Sequence, residues 1–388
     1  MTKLRLLIFL LTLIVVGTLG TFTVFYARGY RLNWGQFKFS PNGLFVAKSE
    51  PTGAQMFING DLKTATDATV SLSPGTYDVS IRKDGYIPWE KRLSIDKEVV
   101  TVATINLFRI APSLTAVTFD GAVSPVSSED YSKIAFGVPS KAPGDTKAGL
   151  WVVDTADLPL GFTRDPRRVT DGDLASASWE FSPDGRQILL TTASGVYLLD
   201  AGAFTPQNQR VNISSRKEAT LASWEEKRKT QLSAQIRNLP DEVADVLNRK
   251  ASQVLFSPDE TKILYTASGS ATLAENLVKP LPGSSTQRQE RTIEEGKTYV
   301  YDTKEDRNFL VADTEATLRW FPTSRHLVYP EDGKITIMEY DGTNRQSVYT
   351  GSYSRPHAFP YVNTSKLLIL TNLGSGGTTT NLYSLSLK

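Results

Sequence analysis

The chain has 388 residues, of which 40% are hydrophobic and 22% charged, and its formal net charge is +2. Cysteine is absent and histidine occurs only twice, which excludes disulfide frameworks, thiolate metal sites, cysteine nucleophiles and three-histidine metal centres. The near-neutral charge argues against nucleic-acid binding, because neutralising phosphates requires a concentrated basic surface. We therefore expect no cofactor, no metal and no nucleic-acid partner.

The first predicted element is a membrane-spanning helix. Residues 6–27 carry no charge, and as a helix rising about 1.5 Å per residue they cover roughly 33 Å, enough for a hydrocarbon core of about 30 Å. The side chains expected to anchor it are Leu6, Phe9, Leu13, Val16, Phe22, Phe25 and Tyr26. The alternative is a cleaved signal peptide, whose apolar region is shorter, about 7–15 residues, and ends at a small-residue cleavage site that is not evident here.

Charge leaves the orientation of this helix almost undecided. Lys3 and Arg5 precede it, and Arg28, Arg31 and Lys38 follow it, so the positive-inside rule gives close to a tie. We expect the N-terminus in the cytoplasm and the bulk of the chain outside, mainly because of the resemblances described next.

A small β-domain is predicted after a linker that ends at residue 41. Asn59-Gly60 is a strong hairpin signal, and apolar residues alternate with polar ones from Val70 to Ile81, as in a half-buried antiparallel pair. The stretch resembles the PEGA domain, a bacterial envelope β-sandwich, in five ordered landmarks: Glu50–Ala54 (with Thr52 inserted in the name-giving motif), Ile58–Gly60, Leu72–Tyr77, Lys83–Tyr86 and Pro88-Trp89. The resemblance implies a non-catalytic sandwich over residues 42–109, in a family associated with envelope attachment.

The remainder of the chain repeats a turn followed by a short apolar strand. The five copies are Val126–Val138, Phe181–Thr192, Phe256–Ala267, Phe321–Pro330 and Phe359–Thr371. In the two clearest copies the turn opens with Phe-Ser-Pro-Asp, where proline presets φ at the second turn position. This pattern resembles the blades of TolB-like and tryptophan–aspartate-repeat β-propellers. The resemblance implies a propeller of about five blades over residues 110–388, with a sixth, diverged blade left open.

The last repeat ends at Lys388 without a fourth strand. We expect Ser113–Gly121 to supply the missing outer strand by lying beside Leu382–Leu387. That pairing would close a ring of sheets, and any other neighbour for the segment would contradict it.

Two insertions interrupt the repeats. Residues 216–248 have a helical pattern, with one apolar face formed by Leu221, Trp224, Leu232, Ile236 and Leu239. One interpretation is a cap that binds a partner through Trp224, Arg228, Leu232 and Ile236; the other is a helix pair packed on the chain's own sheets. The second insertion, Ser268–Gly296, is typical of a mobile loop.

No catalytic motif emerges from the sequence. There is no Gly-x-Ser-x-Gly elbow, and neither His326 nor His357 stands near an acid or nucleophile pattern. Asp171 and Asp173 leave a weak calcium site open, although the further ligands of a calcium loop are missing.

The sequence therefore predicts an all-β, single-pass protein of the cytoplasmic membrane that binds or scaffolds an envelope protein or glycan. It contacts the lipid bilayer through one N-terminal helix. The alternatives are a hydrolase or lyase that acts on an envelope polymer through the propeller, and a sensor that faces the cytoplasm.

Overall fold

The computed structural model describes residues 2–27, 30–33, 38–142, 144–156, 164–279, 285–374 and 379–388. The chain divides into two compact units. The first unit comprises Met1–Leu107 and Lys279–Arg288, and the second comprises Phe108–Val278 and Gln289–Lys388. The first unit is thus discontinuous in sequence, because part of the second predicted insertion belongs to it.

The chain begins with an apolar helix, α1, over Thr2–Ala27. Its stretch Arg5–Tyr26 has a mean hydropathy of 2.4 and is long enough to cross a membrane. Of the predicted anchor residues, Phe25 is half-buried and the others are exposed. The hydroxyls of Thr12 and Thr18 donate to carbonyls one turn earlier, so the helix satisfies these polar groups internally. By length and composition, the helix fits either a membrane anchor or a signal sequence.

The described residues of the first unit form nine strands. They are β1 (Tyr30–Asn33), β2 (Lys38–Pro41), β3 (Gly43–Glu50), β4 (Gln55–Ile58), β5 (Asp61–Ala65), β6 (Ala68–Leu72), β7 (Gly75–Arg82), β8 (Trp89–Ile95) and β9 (Val100–Asn106). β1 and β2 form a hairpin, and the others form two sheets of order β6-β3-β9 and β5-β4-β7-β8. The pair β3 and β9 is parallel.

The two larger sheets of the first unit share one hydrophobic core. Phe45 and Ile105 come from one sheet, and Met56, Ile81 and Trp89 come from the other. The alternation of apolar and polar residues places these side chains on the inner faces. The predicted hairpin at Asn59-Gly60 is confirmed: φ is 51° at Asn59 and 86° at Gly60, the left-handed region that asparagine and glycine tolerate.

The described residues of the second unit form the remaining strands and two α-helices. The strands are β10 (Ser113–Ala116), β11 (Val123–Ser127), β12 (Lys133–Val138), β13 (Gly149–Asp154), β14 (Arg167–Asp171), β15 (Ser178–Phe181), β16 (Gln187–Thr192), β17 (Gly195–Asp200), β18 (Ala251–Phe256), β19 (Lys262–Ala267), β20 (Ala271–Thr272), β21 (Thr292–Ile293), β22 (Thr298–Asp302), β23 (Arg307–Ala312), β24 (Arg319–Trp320), β25 (His326–Glu331), β26 (Lys334–Glu339), β27 (Gln346–Thr350), β28 (Ala358–Pro360), β29 (Lys366–Thr371) and β30 (Asn381–Ser386). The helices, α2 (Lys217–Ile236) and α3 (Asp241–Arg249), confirm the predicted helical insertion.

These strands form five antiparallel sheets of three or four strands in the described part of the second unit. In chain order the first to fourth sheets are β11-β12-β13-β14, β15-β16-β17, β18-β19-β22-β23 and β24-β25-β26-β27. The fifth sheet, β10-β30-β29-β28, takes its outer strand from the start of the unit. Ser113 lies opposite Ser386 and Ala116 opposite Tyr383. The expected pairing of this segment with the C-terminal strand is therefore confirmed.

Shared cores join four pairs of the five sheets. Examples are Val152 and Ile188 (first and second), Val300 and Met338 (third and fourth), Ile337 and Ile369 (fourth and fifth), and Leu382 and Phe136 (fifth and first). Between the second and third sheets, α2 and α3 contribute to the packing.

The second insertion is more ordered at its stem than the sequence predicts. β20 pairs with β21, and Leu273 and Ile293 are buried. The carboxylate of Asp306 accepts the main-chain N–H of Leu277 at 2.7 Å and the guanidinium of Arg291 at 2.9 Å. The Asp306 carboxylate therefore holds both sides of this stem on the third sheet, through an ion pair with Arg291 and a hydrogen bond from Leu277. Residues 280–284 lie outside the described part.

Candidate functional site

One turn conformation recurs in all five sheets, directly after β11, β15, β18, β24 and β28. In each turn a residue at positive φ donates its main-chain N–H to the carbonyl three residues earlier: Tyr131 to Ser128, Gly185 to Ser182, Glu260 to Ser257, Ser324 to Phe321 and Thr364 to Tyr361. The repeat seen in the sequence is thus a repeat of backbone geometry, although glycine, which adopts positive φ most readily, occupies the position only once.

A serine and an aspartate brace three of these turns. The Ser182 hydroxyl donates to the Asp184 carboxylate at 2.6 Å and accepts the main-chain N–H of Gln187 at 2.9 Å. Ser128 with Asp130 and Ser257 with Asp259 repeat the arrangement at 2.6 and 2.7 Å. The serine therefore links the aspartate to the start of the next strand, which explains the Ser-Pro-Asp pattern physically.

The turn geometry predicts the effect of Gly185→Ala. Gly185 has φ +65°, and an added Cβ would lie 3.3 Å from the Ser128 Cβ in the neighbouring turn. We expect a loss of about 1–2 kcal/mol in the free energy of unfolding, because alanine is strained at positive φ. Urea unfolding of the full-length chain measures it. Gly269→Ala is the control, since its added Cβ would make ordinary contacts at 3.8 Å. An equal loss of unfolding free energy in both variants would show that strain at positive φ is not the cause.

Helix α2 bridges the second and third sheets along its apolar face. In its N-terminal half Trp224 is buried against Leu189 and Val196. In its C-terminal half Ile236 is buried in a core that includes Tyr265 of the third sheet. The spacing seen in the sequence thus corresponds to a stripe that covers two sheets.

Polar contacts fix α2 to the repeated turns. The Arg228 guanidinium donates to Glu129 in the first turn at 2.6 Å and to the Phe181 carbonyl, which precedes the second turn, at 3.4 Å. The Gln235 amide donates to Glu260 in the third turn at 2.8 Å. The helix is therefore held against the turns of three consecutive sheets.

A cavity of about 790 Å³ lies between α2, the first two turns and β18. Its volume is within the usual range for ligand sites, roughly 300–1,000 Å³. The lining combines acidic, basic and apolar groups, namely Ser127, Ser128, Glu129, Asp130, Tyr131, Pro183, Asp184, Glu225, Arg228, Lys229, Gln231, Leu232, Gln235, Val254, Leu255 and Phe256. A surface that carries positive and negative side chains beside the exposed Leu255 suits a partner molecule that presents polar and apolar groups together.

The structure divides the four predicted partner-binding residues. Arg228 and Leu232 line the cavity, whereas Trp224 and Ile236 are each only 4% exposed and pack on the chain's own sheets. A partner can therefore reach the first pair and not the second. Periodicity could not find the turn residues of the cavity, because they are distant in sequence from α2.

Hydrogen bonds keep the turn carboxylates ionised. The Ser182 hydroxyl and the main-chain N–H of Arg186 hold the pKa of Asp184 below its usual value. Burial acts to raise the pKa of Asp130, but hydrogen bonds from Ser128 and Ser132 outweigh it and lower that pKa. These groups are acceptors at neutral pH, which suits recognition of donors and cations rather than proton donation.

No group of three or more histidine, aspartate or glutamate side chains in the described ranges is placed to hold a metal. The Asp171 carboxylate, considered above for calcium, accepts a hydrogen bond from the main-chain N–H of Gln207 at 2.5 Å. The main-chain carbonyl of Asp171 accepts one from the Arg210 guanidinium. The chain's own donors thus occupy oxygens that a cation would need.

The two histidines lie apart from the cavity lining. His326 is 3% exposed, with its Nδ1 2.9 Å from the Thr323 hydroxyl, and it packs edge-on against Phe108. His357 is half-buried just before β28, where burial and then the charge of Arg319 lower its pKa.

The lowered pKa of His357 predicts a pH dependence of stability. The folded chain binds the imidazole proton less readily than the unfolded chain, so the free energy of unfolding falls as pH drops below the ordinary value of about 6.5. We expect His357→Gln to flatten this fall between pH 7.5 and 5.5, while the two chains show parallel behaviour above pH 7.5. Urea titrations at each pH measure it, and an unchanged slope below pH 7 would refute the prediction.

Comparison with known proteins identifies a domain family for part of the chain. The PEGA domain family matches residues 43–110, and no protein with a curated description matches the sequence. Among solved structures, the TolB candidate from Agrobacterium tumefaciens is 12% identical, with 68% of this chain and 77% of that chain covered and a TM-score of 0.22. The CNH domain of AfRom2 is 9% identical, with 71% and 99% covered and a TM-score of 0.31. Both structural likenesses are distant and carry no functional information, whereas the family match means that the chain contains a PEGA domain at residues 43–110.

Proposed function

We propose that this protein is a single-pass, membrane-anchored envelope protein whose second unit is a five-bladed β-propeller that binds a partner protein or glycan. In this proposal α1 stays in the cytoplasmic membrane, the N-terminus faces the cytoplasm, and the β-strands of both units lie on the outer side of the membrane. The role is binding or scaffolding rather than catalysis.

The cavity beneath α2 is the observation that carries the binding role. Arg228 and Gln235 hold α2 across three turns and keep the cavity open beside it. The packing between the sheets supports the propeller, because shared cores join four neighbouring pairs, including the fifth sheet with the first, and α2 bridges the second and third sheets.

Site-specific photo-crosslinking tests the binding role. A photoreactive phenylalanine analogue replaces Gln231, which lines the cavity, or Glu218, which is exposed on the same helix outside the lining. In the native host we expect adducts of defined mass from position 231 only, and Lys229→Glu should reduce their yield. Identical adduct patterns at both positions would show that the cavity is not the binding surface.

Protease accessibility in intact spheroplasts tests the orientation. We expect residues 40–388 to be digested from outside, because the proposal places the β-strands of both units there. Protection of this region until the membrane is lysed would favour the cytoplasm-facing alternative.

A further inference from the structure

The outer face of the β6-β3-β9 sheet exposes a group of aliphatic side chains. Leu44 is 39% exposed, Val100 is 53% exposed and Val102 is 54% exposed, and Val46 between them is half-buried. In the parallel pair, Leu44 lies opposite Val100 and Val46 opposite Val102. These four side chains therefore form one apolar patch, which we call the β3/β9 face.

Contacts within the first unit connect the β3/β9 face to the end of α1. The rings of Phe25 and Tyr30 are 5.3 Å apart, and the Tyr30 hydroxyl donates to Glu98 at 2.6 Å. The main-chain N–H of Glu98 donates to the carbonyl of Asn42 at 3.1 Å. Glu98 lies just before β9, and Asn42 lies just before β3. Both strands therefore begin near the end of α1.

The polarity of the β3/β9 face changes with distance from α1. Leu44 and Val100 come first, Val46 and Val102 second, and Lys48 and Thr104 third. Successive positions on one face are about 6.6 Å apart. A bilayer changes from hydrocarbon to polar headgroups over roughly 5–8 Å on each side. With increasing distance from α1, the β3/β9 face changes in the same direction, from two aliphatic pairs to a pair that carries a cation and a hydroxyl.

We propose that the β3/β9 face rests in the interfacial layer of the membrane that α1 crosses, with the Lys48 ammonium at the level of the lipid phosphates. The proposal rests on the anchoring role of α1 proposed above. It gives the PEGA domain a lipid-contacting face. A lipid surface fits better than a second copy of the chain because the patch starts where α1 ends and becomes polar away from it.

The absence of cysteine allows a direct test. Full-length chains with Val100→Cys, Val102→Cys or Thr104→Cys are labelled with an environment-sensitive fluorophore and reconstituted in nanodiscs that contain spin-labelled lipid. Leu62→Cys is the matched control, since Leu62 is 56% exposed on the other sheet. We expect lipid quenching to decrease from position 100 to 102 to 104, with position 100 quenched at least about threefold more than position 62.

Quenching at positions 100 and 102 equal to that at position 62 would overturn the proposal. Self-quenching that grows with the number of chains per disc, without lipid quenching, would assign the face to a second copy and overturn it as well. Failure of the anchor is seen separately, because chains that lack an inserted helix do not co-elute with the nanodiscs.

Discussion

Replacing Trp224 by alanine is expected to lower the free energy of unfolding by about 3–5 kcal/mol, the usual range for truncating a buried aromatic side chain. Trp224 is 4% exposed and fills the space between α2 and the second sheet, where Leu189 and Val196 contact it. In the described part of the chain that sheet has three strands, so α2 supplies much of the cover over this face. For a unit of this size the loss corresponds to a fall in melting temperature of about 6–20 °C.

Thermal unfolding of the full-length chain in detergent measures the effect, and Glu226→Ala is the matched control. Glu226 is exposed on the same helix, so its replacement should change stability by no more than about 0.5 kcal/mol. Hydrogen exchange adds a local readout, because α2 should lose amide protection before the sheets do. A Trp224→Ala chain as stable as the control would mean that α2 is only loosely docked.

Replacing Asp306 by alanine is expected to cost about 3–5 kcal/mol, because it leaves the Arg291 guanidinium in a buried place without its partner. The side chains of Arg291 and Asp306 are 12% and 4% exposed. Asp306 also accepts the Tyr301 hydroxyl at 2.8 Å and the N–H of Leu277. One carboxylate thus holds the stem of the second insertion on the third sheet.

Asp332→Ala is the control for this prediction. Asp332 also pairs with an arginine, Arg355, at 3.2 Å, but it is 87% exposed, so its loss should cost less than about 1 kcal/mol. In hydrogen exchange the amide of Leu277 should lose protection in Asp306→Ala and keep it in Asp332→Ala. Retained protection in both would show that the stem does not depend on the ion pair.

Local chemistry decides which parts of the fold could be predicted. Ser182-Pro183-Asp184-Gly185 encodes its turn within four residues, and β10 could be matched to β30 because the last repeat lacked a strand. The same turn at Tyr131 or Thr364 has no glycine to mark it. The sequence therefore does not mark the positive φ at these two positions, although Ser128 and Asp130 brace the turn at Tyr131 through a local hydrogen bond.

The candidate site could be predicted only in part for the same reason. The apolar stripe of α2 was visible, but a stripe shows only that a face is covered, not whether a partner or the chain covers it. Trp224 and Ile236 face inward because two sheets lie beneath them. The pairing of Arg291 with Asp306 was hidden because Arg291 lies in the predicted loop and Asp306 in a turn outside it, so that only three-dimensional proximity brings the two polar side chains together.

The pairing of β10 with β30 also constrains when the second unit can finish folding. Thr118 and Leu382, which hydrogen-bond just beyond this pair, are separated by 264 positions. Closing so long a loop costs about 5 kcal/mol of chain entropy before any contact repays it. The first four sheets are built largely from strands close in sequence and can form early, whereas the fifth must wait for its last strand. Until then the side chains of Phe136 and Leu382 face water. A newly made chain is therefore most prone to aggregate before the fifth sheet has packed against the first.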